Sequence, residues 1–195
     1  MKKLSMIILA LGIYFSASAQ TQWKVDKAHS NIKFSVTHLV VSEVEGNFKS
    51  YEGTVTTKSA TDFSDLQADI NIAVNSINTD NDMRDTHLKS AEFFSAEKFP
   101  SITFKSASCK KITEKTFKLS GDLTIKNITK KVTFDVTYNG TAKDPYGNTK
   151  AGFKASISIN RFDYDLKWNT LTEAGGMVVG DEVKINVNLE LALQK

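Results

Sequence analysis

The sequence predicts an all-β domain of eight antiparallel strands, closed into a barrel, with one short helical segment near residues 81–94. Three observations carry this. Apolar and polar residues alternate with period two along most of the chain, which marks strands with one buried face. The alternating runs are joined by short turn sequences, and short links make neighbouring strands antiparallel. Strands with one apolar face must stack as two sheets or close on themselves, and closure also removes the exposed edges.

The first nineteen residues read as an export signal rather than as part of the fold. Lys2 and Lys3 supply a positive start, Leu4 to Phe15 an apolar run, and Ala17-Ser18-Ala19 a small-residue cleavage site, so the mature domain is expected over residues 20–195. The apolar run is shorter than the ~20 residues of a membrane-spanning helix, and no later segment approaches that length. No Cys follows the run to carry a lipid. The expectation is a free protein, periplasmic or secreted. Removing Lys2 and Lys3 from the 25 basic residues leaves 23 against 22 acidic ones, a net charge of +1. That balance argues against a nucleic-acid surface. Cys109 is the single cysteine, so stability must come from the core rather than from a disulfide.

In chain order, strands are expected over 31–38, where Ile32, Phe34, Val36 and His38 share a face, and over 43–57 with a break near Lys49. A third covers 66–76 through Leu66, Ala68, Ile70, Ile72 and Val74, and a fourth 101–108. The others are 115–126, 130–140 through Val132, Phe134 and Val136, 149–160 through Phe153, Ala155 and Ile157, and 182–193 from Val183 to Leu193. Lys126-Asn127 and Asp144-Pro145-Tyr146-Gly147-Asn148 provide turn chemistry. Between the third and fourth strands, Met83, Arg84, His87 and Leu88 have helical spacing, Phe93, Phe94 and Phe99 follow, and Pro100 restores extended chain. An eight-stranded barrel is either filled by its side chains or holds one slender ligand, so the apolar lumen is a packed core or a lipid tunnel. Patterning alone leaves both open.

Particular residues go further. Trp23-Lys24-Val25-Asp26, His29-Ser30, Ile32 to His38 and Gly46-Asn47-Phe48 open the chain; Arg84-Asp85-Thr86-His87-Leu88, Phe93-Phe94 and Phe99 to Phe104 stand at its centre; Gly121 to Ile125 and Val179-Gly180-Asp181-Glu182-Val183 follow. In order and spacing these blocks resemble the YceI-like polyisoprenoid-binding family. The resemblance implies an extended lipocalin-like barrel with a long apolar tunnel. It further implies a bacterial periplasmic carrier or sequestering protein, not an enzyme, for an isoprenoid-type amphiphile such as a polyprenyl phosphate or a quinone. One position departs from the family pattern: Asp165 stands where a Gly usually follows the aromatic residue after Arg161. On the tunnel reading, the ligand-facing candidates are Phe34, Val36, His38, Phe48, Ile70, Ile72, Val74, Leu88, Phe93, Phe94, Phe104, Phe134 and Phe153, with Arg84 and His87 near a head group.

The chemistry-bearing residues each have a plainer reading. His29, His38 and His87 match no metal motif, and two residues nine apart on one strand face opposite ways, so neither metal nor cofactor is expected. His38 is an inward residue that meets either a polar neighbour or a ligand. Arg84 and Asp85 read as a network pinning the helix, with Arg84 or His87 meeting a head group as the functional alternative. Ser30 beside His29 lacks the geometry of an activated nucleophile, and no G-x-S-x-G elbow occurs. The competing functions are an enzyme acting on lipid through Arg84, Asp85 and His87, and a filled barrel serving as an interaction or envelope-stress module. The expected partner is an isoprenoid-type lipid, with transient contact to a membrane or lipid donor. N-terminal sequencing of the soluble periplasmic fraction should find Gln20 first; a stable uncut chain in the membrane would contradict the export reading.

Overall fold

In Gln67–Ala73 the residues Ala68, Ile70 and Ile72 are buried while Gln67, Asp69 and Asn71 face solvent, because successive strand side chains point to opposite faces. The same rule builds the rest. The structure, a computed structural model, describes residues 20–170 and 176–194; the expected export leader over 1–19 falls outside them. Its elements are β1 (Thr21–Val25), β2 (Asn31–His38), β3 (Ser42–Phe48), β4 (Tyr51–Thr57), β5 (Gln67–Ala73), β6 (Ile77–Asn78), α1 (Asp82–Lys89), β7 (Ser101–Lys111), β8 (Thr116–Ile125), β9 (Ile128–Lys143), β10 (Thr149–Asn160) and β11 (Val179–Leu193).

Six of these strands are halves of three long bent ones. β1 and β2 both lie along β11, with Trp23 opposite Leu193 and Asn31 opposite Asn188. β4 then pairs with β1 and β3 with β2, and β5 and β6 pair with β4 and β3 in turn. The result is a closed antiparallel barrel of eight long strands in sequence order, sealed by β11 against β1 and β2. The turns alternate between two ends. One end carries the β2–β3 turn, the segment 79–100 with α1, the β8–β9 turn and the chain after β10. The other carries the loops 58–66, 112–115 and 144–148.

The expected boundaries shift in several places, with β7, β9 and β11 longer than expected. β1 is an additional strand, and its five residues with Trp23 and Val25 inward are too few for a periodic signal. The expected break near Lys49 is present and separates β3 from β4. β5 stops at Ala73, and Val74–Ser76 forms a 3-10 turn. The helix ends at Lys89 rather than near 94: the Asn81 side chain caps its start by accepting from the Arg84 N–H, and after Ser90 the chain turns tightly, with Ser95 at φ 50.

At the end bearing loop 58–66, the lumen is filled. Trp23, Phe63, Tyr138 and Phe153 stack with ring centroids 4.9–5.6 Å apart, each such pair adding about 0.5–1.5 kcal/mol beyond its burial. Trp23 is fully buried, and its indole N–H donates to Thr57 Oγ1 at 3.0 Å. Outside this plug, at the bend between β1 and β2, Lys150 bonds Asp26 and approaches Glu190 at 3.2 Å. The Lys150 hydrogen bond, opposed by partial desolvation, pulls the Asp26 carboxyl from 3.8 down to about 2. A depressed carboxylate stabilises the fold above its unfolded pKa, and the contribution is lost as pH falls through the folded value. Lys150→Met should therefore lower stability by about 1 kcal/mol at neutral pH, after allowance for solvent screening. Thermal melts should show the gap to wild type shrinking between about pH 4 and about pH 2. A gap that stays constant over that range would contradict the assignment.

Candidate functional site

Beyond the aromatic plug the inward residues do not meet. They enclose a cavity of about 550 Å³, within the ~300–1,000 Å³ of small-molecule sites. The burial pattern explains what kind of space this is. On β10 and β11, Ala155, Ile159, Val183, Ile185, Val187 and Leu189 line the cavity and are only half-buried; they face open space, whereas a filled barrel would cover them. The opposite wall is tighter: Ile70, Ile72, Ile102, Phe104, Leu119, Leu123 and Phe134 are buried, with the Phe104 and Phe134 rings edge to face at 5.0 Å. Gly46 on β3 makes room for the neighbouring Phe34 of β2, since a Cβ there would overlap the Phe34 ring. Phe34 packs on Phe48 at 5.8 Å, and Phe48 meets Phe94 edge-on at 6.4 Å. An aromatic run thus joins the sheet to the turns after α1.

The end carrying α1 is polar. Thr79 is the hinge: its hydroxyl donates to Asp85 Oδ1 at 2.6 Å and accepts from Arg84 Nε at 2.8 Å, while its carbonyl accepts from Arg84 Nη2 at 2.8 Å. Asp85, buried, also accepts from the Thr79 N–H at 2.9 Å and from Asn78 at 3.3 Å. This network pins α1, yet Arg84 and Asp85 are bridged by Thr79 rather than paired. Arg84 Nη1 makes no hydrogen bond among the described residues. His87 bonds Glu92 at 2.6 Å, and its ring stands edge-on to Phe93 and Trp168 at 5.0 and 4.9 Å. His38 lines the cavity, and its imidazole makes no hydrogen bond to any described residue.

Arg161 completes this end. The inward parity of β10 (Ala151, Phe153, Ala155, Ile157, Ile159) continues to Arg161, which places a cation at the next inward level. Arg161 is 3% exposed, and its guanidinium donates to the carbonyls of Leu166, Trp168 (2.8 Å), Val179 (3.1 Å) and Gly180 (2.7 Å). Burial pulls its pKa down, Asp181 partly opposing, and among the described residues it forms no ion pair with a carboxylate. Buried cations are ordinarily paired. Here carbonyl oxygens solvate the charge without cancelling it. Asp165 nearby sits at φ 58, ψ 28, the left-handed conformation that Gly favours and Asp tolerates, so the turn after Arg161 keeps a glycine-like geometry. Lys126 holds it through the Asp165 carbonyl at 2.8 Å.

Of the sequence candidates, the cavity gathers Phe34, Val36, His38, Phe48, Ile70, Ile72, Arg84, His87, Leu88, Phe93, Phe94, Phe104 and Phe134. It leaves out two. Phe153 belongs to the plug, and Val74 is buried in the 3-10 turn beyond β5. The sequence reading placed Leu119, Leu123 and Ile125 of β8 and the β10–β11 wall from Ala155 to Leu189 on strands but not among the ligand-facing candidates. It also missed Leu166, Trp168 and Val178, which line the cavity from irregular chain without a period to betray them, Val179 at the start of β11, and Arg161, whose inward parity was readable. Arg84, Asp85 and His87 do not converge on one point: Arg84 and Asp85 share Thr79, while His87 is turned to Glu92. The histidines are likewise dispersed: His29 lies 3.2 Å from Asp26 and 3.6 Å from Glu190. Those three ligand-type groups lie together, but the Lys150 ammonium already occupies the space between the two carboxylates.

Comparison with known proteins agrees with this architecture. A UPF0312 protein of Staphylococcus aureus (strain bovine RF122) is 41% identical over 176 residues, covering 90% of this chain and 99% of that protein. Among solved structures, a YceI protein of Campylobacter jejuni is 33% identical, with a TM-score of 0.70 over 88% of this chain and 96% of the other. BcnA of Burkholderia cenocepacia, 23% identical, shares the fold with a TM-score of 0.74 over 85% of this chain and 98% of its own. A domain from Saccharophagus degradans described as polyisoprenoid-binding has a TM-score of 0.67 at 15% identity, covering 88% of this chain and 98% of its own. The YceI-like domain matches residues 23–191, nearly the whole described barrel, and the chain belongs to that family.

Proposed function

We propose that this protein is an exported, non-enzymatic carrier that holds the tail of an isoprenoid-type amphiphile above the aromatic plug, with the head group turned toward Arg84, His38 and Arg161. The observation that carries the reading is the half-buried apolar wall of β10 and β11 around a cavity of about 550 Å³. The family supports it, as does the description of the Saccharophagus degradans domain as polyisoprenoid-binding. The leader-like residues 1–19 support export.

The energetics suit a tail-driven site. Each buried methylene contributes about 0.8 kcal/mol, so about ten of them reach the ~8 kcal/mol of micromolar binding before association costs are subtracted. The tail supplies affinity. Choice falls to the head. No carboxylate is found among the described lining residues, whereas Arg84 and Arg161 bring two guanidiniums. In a poorly hydrated site that imbalance favours a phosphate or carboxylate head over a neutral one.

Ile72 is the point at which to test occupancy, because its side chain borders the cavity from β5. Ile72→Trp should keep or raise the melting temperature of delipidated protein by filling space. The same change should abolish the stabilisation that geranylgeranyl phosphate gives wild type by mass action. Geranylgeraniol, with the same tail and no charge, should bind wild type about tenfold more weakly, the difference made by one charge-assisted contact. A destabilisation of about 1–3 kcal/mol, as overpacking of a solid core produces, together with no lipid effect on wild type, would overturn the carrier reading.

A further inference from the structure

We infer that the β2–β3 turn, Leu39-Val40-Val41, together with Met83 across the cavity mouth, is a docking tip for the surface of a zwitterionic lipid bilayer. The inference rests on the carrier reading for its purpose, but its evidence is separate. The Val41 N–H donates to the His38 carbonyl at 3.1 Å, closing a two-residue turn with Leu39 and Val40 at its centre, at φ 51 and φ 62. Two left-handed residues in such a turn are ordinarily Asn and Gly, and a β-branched side chain is among the least suited. The β8–β9 turn makes the contrast. There the same left-handed pair is Lys126-Asn127, at φ 50 and φ 65, and both side chains are polar. At the β2–β3 tip the chain instead holds apolar residues in a strained conformation, and holds them outward. Val40 is 81% exposed and Val41 83%. A hydrogen bond from the Leu39 N–H to the Val178 carbonyl, 2.9 Å, anchors the turn beside the site.

Location gives the partner. His38, at the foot of the turn, and Met83, which is 83% exposed, both line the cavity. Leu39, Val40, Val41 and Met83 therefore stand around the opening through which a lipid tail passes. Exposed apolar side chains of this kind disfavour solubility and mark interaction sites. A tail leaving a bilayer for the cavity avoids water only if the rim itself enters the apolar layer. The charges beside the rim choose the type of surface. Asp80 and Asp82, both exposed, flank Met83, so attraction to anionic lipid is opposed and contact rests on apolar insertion.

Flotation with phosphatidylcholine vesicles reads docking without any cargo. The test variant is L39N/V40G, which gives the turn the residues its backbone favours and leaves the cavity lining intact. It should melt no lower than wild type and bind dispersed geranylgeranyl phosphate equally well. Its recovery with the vesicles should fall about tenfold, the partition lost with two apolar side chains. M83S, on the other side of the mouth, should lower flotation independently. Equal flotation of wild type and L39N/V40G would overturn the inference. So would conversion of a wild-type dimer to a monomer by L39N/V40G in sedimentation, which would assign the patch to a second copy of the chain. Failure of wild type to bind dispersed geranylgeranyl phosphate, with docking intact, would instead remove the carrier reading and leave the membrane tip standing.

Discussion

A closed sheet has to fill its own interior, and here the chain does so over only part of its length. β11 runs the length of the barrel with β10 on one side and first β2, then β1, on the other. Its last inward residues, near Leu191, pack into the plug of Trp23, Phe63, Tyr138 and Phe153, whereas its earlier ones from Val183 to Leu189 face open space. The plug depends on a loop as well as on strands, since Phe63 comes from the connection between β4 and β5. Because that end is sealed, the cavity opens toward the other. Its floor, its depth and the position of its polar groups all follow.

The polar end is built by two different solutions to one problem, that of holding a cation near an apolar space. Arg84 is held through Thr79, whose hydroxyl passes the interaction on to the buried Asp85. Arg161 is held by the carbonyls of Leu166, Trp168, Val179 and Gly180. In both cases most donors are satisfied by neutral oxygens, Arg84 Nη1 excepted, and no carboxylate among the described residues pairs directly with the guanidinium. Such a site keeps positive potential available to a ligand at little hydrogen-bonding cost. His38 adds an imidazole with no described partner at the same end. The substitution of Asp for the usual Gly at 165 leaves this frame intact, because the residue adopts the left-handed conformation the turn requires.

Periodicity reports which face of the sheet a side chain occupies, and it does not report the level along the barrel axis. Ile72 and Phe153 read alike in the sequence, both inward on long alternating strands, yet one borders the cavity and the other belongs to the plug. That distinction needs the register between strands and the path of loop 58–66, neither of which a single strand encodes. Strands such as Asn31–His38 and Gln67–Ala73 were legible because three or more apolar residues recur on one face, and β1 was missed because it offers only two inward residues. The cavity residues taken from β2, β5, β7 and β9 were legible for the same reason, whereas those of β8, β10 and β11 were read as strand residues without being assigned to the ligand. Trp168 and Leu166 were not, since an irregular segment is ordered by Arg161 across space rather than by any local pattern.

The central claim is that the unfilled half of the barrel is a lipid site. Native mass spectrometry of the mature protein purified without detergent, followed by organic extraction, tests it most directly. The account predicts one retained amphiphile per chain, with an apolar tail and an acidic head group, and reuptake of a polyprenyl phosphate after delipidation. A bare protein mass before extraction, with no mass shift when the lipid is offered afterwards, would contradict it.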